Sequence, residues 1–182
     1  MLPFARQIAN SMSSHPTNSD SSSDLGRTLI QYDGQVAACR ALFLGKMHDY
    51  GTAWRVLRPA SLTDQLFIKA HRIRTLQEGG TQQVEEGIRP EFVGIVNYCM
   101  MALIQLELSE DSPMELPPDE ATGLYDGALS QTRDLMTRKN HDYGEAWRDM
   151  RVSSLTDLIL MKLLRIKQLE DLEGGAKVSE GV

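Results

Sequence analysis

The chain has 182 residues, a formal net charge of −6 at pH 7 and a sequence pI near 5.2. This acidic balance argues against direct nucleic-acid binding, which needs a basic surface. The longest wholly apolar run, residues 98–104, is far shorter than the roughly 20 residues of a membrane span, and no signal peptide opens the chain. With only Cys39 and Cys99, the sequence favours a cytoplasmic protein without a disulfide framework or a zinc site.

The N-terminal part divides into a polar tail and a first helix. Residues 10–24 are of low complexity and have almost nothing to bury, so we predict a disordered tail over residues 1–24. A helix is expected over about 25–47. Gly51 then breaks it, because glycine readily takes a positive φ.

Three further elements complete the first half of the chain. One short turn is expected at 53–57, followed by a helix over 62–78 with Ser61 as its N-cap. A third helix is expected from Pro90 to Leu108, since proline suits the first turn of a helix. Residues 109–119, which contain three prolines, then read as a linker.

The second half of the chain repeats the first at a distance of 93 residues. Pairing residues 32–76 with 125–169 gives 22 identities in 45 ungapped positions. We therefore predict a first repeat over 25–108 and a second over 120–182 that lacks a counterpart of the third helix. Long helical periodicity and few alternating runs predict an all-α fold, with the two units packed as a pseudo-two-fold helical bundle.

A lysine lies in the middle of the apolar stripe of the second helix in each repeat. These residues are Lys69 and Lys162, and Arg72 and Arg165 follow three positions later. A cation on an apolar face needs a partner. The partner would be the phosphate of a ligand or an internal carboxylate, for which the candidates are Asp49, Asp64, Asp142 and Glu86.

Each repeat also carries a His-Asp-Tyr-Gly segment after its first helix. His48, Asp49, His141 and Asp142 are candidate catalytic residues, because histidine exchanges protons near neutral pH and aspartate orients it or holds a metal. The alternative is a helix C-cap, in which histidine favours the helix dipole and glycine turns the chain.

The only tryptophans follow these segments, each beside an arginine. In Trp54-Arg55 and Trp147-Arg148 the indole would stack on a base while the guanidinium meets a phosphate. The alternative is a core anchor beside a salt-bridged arginine.

Several shared acids are candidate ligands for Mg²⁺, because hard cations prefer oxygen. The set consists of Asp49, Asp64 and Glu86 with the counterparts Asp142, Asp157 and Glu180. A capping role at the start of the third helix is an equally consistent alternative.

The joined motifs resemble a bacterial domain family of unknown function, number 1599, also called nucleotide modification associated domain 1. They are Lys-x-His-Asp-Tyr-Gly-x-Ala-Trp-Arg, Ser-Leu-Thr-Asp, Lys-x-x-Arg-Ile, Val-x-Glu-Gly and Ile-Val-Asn-Tyr, within residues 30–182. The resemblance implies a connection with modified nucleotides. A looser similarity to MazG-type nucleotide pyrophosphohydrolases implies paired carboxylates holding magnesium, although their Glu-Glu-x-x-Glu pattern is missing here.

Two classes of function follow as hypotheses. The first is binding of a nucleotide or similar phosphate compound, with magnesium-dependent phosphohydrolysis as its catalytic version. The second is a non-enzymatic helical module that forms a homo-oligomer through an apolar face of the helix at 155–172.

Overall fold

The computed structural model describes residues 18–79, 87–109 and 111–172. Within these ranges all regular elements are helical, which confirms the all-α prediction. The α-helices are α1 (Asn18–Tyr50), α2 (Pro59–Gln77), α3 (Ile88–Glu107), α4 (Pro118–Tyr143) and α5 (Val152–Asp171), with short 3₁₀ helices at Ala53–Val56 and Ala146–Asp149. None of the described helices is long and apolar enough to cross a membrane.

The first helix begins at Asn18, seven residues before the predicted start. Residues 18–24, which we predicted as disordered, are therefore helical. An ion pair of 3.4 Å between Arg27 and Asp24 lies in this part of α1, and acids near a helix N-terminus favour its dipole. The rest of the predicted tail, residues 1–17, lies outside the described residues.

The turn between α1 and α2 follows the prediction, but the start of α2 does not. Gly51 has a φ of 59°, and its counterpart Gly144 has a φ of 63°. Ser61 was wrongly predicted as the N-cap of α2, because the helix already begins at Pro59 and makes no side-chain cap bond. Proline suits this first position because its fixed φ is helical and its missing N–H would have had no partner there.

The buried side chains form two clusters, and α2 and α3 contribute to both. The first joins α1, α3 and α4 with Leu62 of α2, and in it Phe43 stacks on Tyr125 with ring centroids 4.0 Å apart. The second joins α2, α3 and α5 through Leu66, Ile73, Ile95, Leu160 and Leu163. Helices α2 and α3 thus contribute buried side chains to both clusters.

Helices α2 and α5 pack against each other. Asp64 pairs with Lys167 at 2.5 Å, and Arg74 approaches Asp157 at 3.8 Å. Low numbers on one helix meet high numbers on the other, so the two helices run antiparallel. Replacing each residue of one pair by its repeat counterpart gives the other pair.

Helices α1 and α4 show the same reciprocity. Arg40 binds Asp126 at 2.6 Å, and the counterparts Arg133 and Asp33 are joined at 2.7 Å. The hydrogen bonds from these arginines lower the pKa of both aspartates, so the aspartates stay charged near neutral pH. A two-fold relation between the repeats would require this exchange of partners; the pseudo-two-fold packing itself stays a prediction.

The two central helices differ in how much of their apolar surface is covered. Ile73 on α2 is fully buried, whereas its counterpart Ile166 on α5 is 40% exposed. The difference arises because α3 covers α2, and no second copy of α3 occurs in the described part of the chain. The exposed apolar surface of α5 is formed by Leu158, Met161, Leu164 and Ile166, and Leu172 directly after the helix is exposed as well.

Candidate functional site

A cavity of about 540 Å³ lies in the first repeat, between α1, the first 3₁₀ helix, α2 and α3. Its size is in the range of small-molecule sites, which typically measure about 300–1,000 Å³. The side chains that line it and carry polar or aromatic groups are Phe43, Lys46, Tyr50, Trp54, Lys69, Glu91, Asn97 and Tyr98. Four separate segments of the chain therefore contribute to one concave surface.

Lys69 lines this cavity and forms an ion pair with a carboxylate. Its ammonium lies 3.2 Å from Glu91 and 6.0 Å from the centre of the Tyr98 ring. The Lys69 side chain is 26% exposed and that of Glu91 only 6%. The prediction of a largely buried, acid-paired lysine is confirmed for Lys69, but the acid is Glu91 and none of the four candidates.

Glu91 is shared by two cations of α2. Its second oxygen accepts a hydrogen bond from Arg72, which lies one helical turn beyond Lys69. The shared carboxylate fixes both cations at the same end of α3. Lys69 lines the cavity and Arg72 does not, so the two predicted phosphate-binding cations have different positions.

Gly94 makes room for the lysine stem. A Cβ atom at this position would lie 2.8 Å from Cε of Lys69, closer than real Cβ contacts. The α3 residues Glu91, Gly94 and Tyr98 follow a spacing of three and four, which places them on one face of the helix. Sequence reasoning missed Glu91 and Gly94, although their place on this stripe was a usable signal.

Trp54 lines the cavity, and its indole nitrogen is unsatisfied. Nε1 is buried and has no acceptor within hydrogen-bonding distance among the described residues. In the second repeat the equivalent Trp147 donates to Asn140 at 2.9 Å. The first repeat has Met47 where Asn140 stands, so it lacks that acceptor.

A second cavity of about 650 Å³ occupies the corresponding place in the second repeat. Lys139, Tyr143, Gly144 and Trp147 line it as counterparts of residues in the first cavity. Its other wall comes from residues 28–35 of α1, and the exposed surface of the cavity as a whole is almost entirely apolar. One wall of each cavity is therefore built from equivalent residues of the two repeats, whereas the residues of the other wall differ.

Lys162 does not repeat the environment of Lys69. It lies exposed on α5, and within the described ranges no carboxylate pairs with it. The prediction that Lys162 is buried and acid-paired is wrong, because the pairing acid of the first repeat comes from α3. Arg165 is likewise exposed on α5.

The two arginines beside the tryptophans are engaged within the protein. Arg55 is 7% exposed and binds Gln105 at 2.6 Å as well as the backbone carbonyls of Ser112 and Pro113. Arg148 stacks on Trp147 at 4.4 Å and pairs with Glu145. Neither guanidinium lines a cavity, so the alternative of a salt-bridged or hydrogen-bonded arginine describes both.

Glu145 connects the second 3₁₀ helix with the start of α1. Its carboxylate accepts hydrogen bonds from Arg148, Thr28 and Arg27. The bond from Arg148 is the main reason that its pKa falls to about 2. The carboxylate is therefore charged at neutral pH and remains an ion-pair partner of Arg148.

The candidate catalytic pairs lie at the exposed ends of α1 and α4. Nδ1 of His48 is 3.2 Å from Asp49, and in the second repeat the distance from His141 to Asp142 is 3.3 Å. More than four-fifths of each histidine side chain is exposed. These residues line neither cavity, and their catalytic role stays a prediction.

The candidate magnesium ligands have separate partners. Asp64 binds Lys167, Asp157 approaches Arg74, and Asp49 contacts its neighbour His48. Glu86 and Glu180 lie outside the described residues. Within the described part of the chain, no three His, Cys, Asp or Glu side chains converge to hold a metal ion.

Comparison with known proteins identifies the family. No curated protein and no solved structure matches the chain significantly. The family model for nucleotide modification associated domain 1 matches residues 46–106 and 139–182, one segment in each repeat. These segments contain the tryptophan motifs, α2, most of α3 and α5, and they make up more than half of the sequence. The chain belongs to the nucleotide modification associated domain 1 family.

Proposed function

We propose that the first repeat binds a nucleotide or a related phosphate compound, and that the protein acts in nucleotide metabolism or modification. One observation carries the proposal: two lysines and several aromatic rings from four segments line a single cavity of about 540 Å³. A nucleotide needs both kinds of group, because cations bind its phosphate and aromatic rings stack on its base. The family description agrees with this class of ligand.

The lysines differ in how available they are to a phosphate. The ammonium of Lys46 is exposed on α1 and has no ion-pair partner among the described residues. Lys69 lies deeper and is already paired with Glu91. We therefore assign the main phosphate contact to Lys46, with Lys69 adding positive potential inside the cavity.

Lys46→Ala should weaken binding of a nucleoside monophosphate roughly tenfold, the order expected for a lost charged hydrogen bond. Its stability should change little, because the residue is exposed and unpaired in the described part of the chain. Isothermal titration calorimetry with a panel of nucleotides measures the affinity. Lys139→Ala, the repeat counterpart beside the second cavity, is the matched control and should bind as the wild type does.

Absence of nucleotide binding by the wild-type protein would refute the proposal. Equal losses in the two lysine variants would show that the first cavity is not the site. The panel is run with and without Mg²⁺, which also addresses magnesium-dependent phosphohydrolysis. Release of phosphate only with Mg²⁺ would favour that alternative, although the described acids do not converge on the cavity.

The exposed face of α5 favours a second candidate function, self-association of the helical module. Four large apolar side chains of α5 are exposed there together with Leu172, which directly follows the helix, and contiguous apolar patches mark interaction surfaces. We expect a homodimer in light scattering, and Met161→Glu should shift it to monomer by placing a charge in the contact. A wild-type monomer at every concentration tested would refute this candidate.

A further inference from the structure

The amide of Asn97 is held in one orientation by the other repeat. Asn97 lies on α3, lines the first cavity and is 6% exposed. Its Oδ1 accepts a hydrogen bond of 2.6 Å from the hydroxyl of Tyr125, which belongs to α4. Tyr125 is fully buried against Phe43 and does not line the cavity.

Reversing this amide would be costly. Burial raises the pKa of Tyr125, so its hydroxyl keeps the proton and remains a donor. A flipped Asn97 would offer NH₂ to that donor and leave the buried hydroxyl proton without an acceptor. The amide oxygen is thereby fixed on the Tyr125 side, and the NH₂ group of Asn97 is left for the cavity.

Two donors among the residues that line this cavity are left unpaired. Nδ2 of Asn97 has no acceptor among the described residues, and neither has Nε1 of Trp54. The acceptors of the same wall are occupied, since Asn97 Oδ1 binds Tyr125 and the Glu91 carboxylate binds Lys69 and Arg72. A ligand that satisfies this wall must bring acceptor atoms to it.

We infer that the cavity selects nucleotides whose base presents a carbonyl oxygen rather than an amino group, with Asn97 as the recognising donor and Tyr125 as its positioning residue. The inference rests on the proposed function, because it concerns which ligand the same site takes. An oxo group accepts from the Asn97 NH₂. An amino group would place donor against donor and leave both buried without a partner.

Uridine and cytidine monophosphate provide the test, because uracil has an oxo group at C4 and an N–H at N3, where cytosine has an amino group and an acceptor nitrogen. Calorimetry of the full chain should give tighter binding of the uridine nucleotide by roughly tenfold or more. Tyr125→Phe keeps the ring stacked on Phe43 and frees the amide to rotate, so the preference should fall towards unity. Tyr32→Phe, the same change in the other repeat, should leave the preference unchanged.

Asn97→Asp is the second variant, with thermal melting to check folding. It replaces the donor by an acceptor and should abolish the preference for the uridine nucleotide even if Tyr125→Phe unfolds. Equal binding of both nucleotides by the wild type would overturn the inference but leave the proposed function standing. An unchanged preference for the uridine nucleotide in a folded Tyr125→Phe or Asn97→Asp variant would also overturn it. If neither nucleotide binds, the proposed function fails as well.

Discussion

Glu91→Ala should destabilise the fold by about 3 kcal/mol, the order measured when one partner of a buried ion pair is removed. The carboxylate is 6% exposed and pairs with Lys69 and Arg72. Without it, Lys69 remains between α2 and α3 with its stem against Gly94 and no acid. Urea denaturation followed by circular dichroism measures the free energy of unfolding.

Two comparisons decide whether the loss of stability in Glu91→Ala comes from the unpaired charge of Lys69. Glu107→Ala removes an exposed acid from the same helix and should change the stability by less than about 0.5 kcal/mol. Lys69→Met combined with Glu91→Leu removes the pair together and should be more stable than Glu91→Leu alone. If the double variant loses as much as the two single variants added together, the ion pair is not the cause.

The helical elements of the fold could be predicted from the sequence because the patterns that indicate them are local. Helical periodicity and the glycines at 51 and 144 gave the elements to within a few residues at most boundaries. The start of α2 was misplaced because Ser61 resembles an N-cap, while Pro59 two residues earlier already fixes the helical φ. Local patterns do not say which of two competing start signals is used.

Only some residues of the candidate site could be predicted from the sequence, for a different reason. The lysine on an apolar stripe correctly indicated a buried charge at Lys69, but the partner was sought among acids shared by both repeats. Glu91 lies on α3, which has no counterpart in the alignment of the repeats, so the comparison could not find it. For the same reason the repeat implied a burial of Lys162 that does not occur.

Equal residues in the two repeats therefore do not have equal roles. Trp54 and Trp147 both line cavities, yet only Trp147 has an internal acceptor, supplied by Asn140. Arg55 is held by the linker before α4, and Arg148 by Glu145. Equivalent residues have different roles because different segments of the chain lie beside them. A residue-by-residue comparison of the repeats carries no information about these neighbours.

Ile73→Ala and Ile166→Ala should differ widely in their effect on stability. Ile73 is fully buried between α2, α3 and α5, so its truncation leaves a cavity that costs about 3 kcal/mol. Ile166 is the same residue in the other repeat but is 40% exposed, and its loss should cost less than about 1 kcal/mol. Denaturation of both variants at two protein concentrations measures the difference. A large, concentration-dependent cost at Ile166 would instead mean that the apolar face of α5 is covered in solution by a second copy, because only an association makes apparent stability depend on concentration.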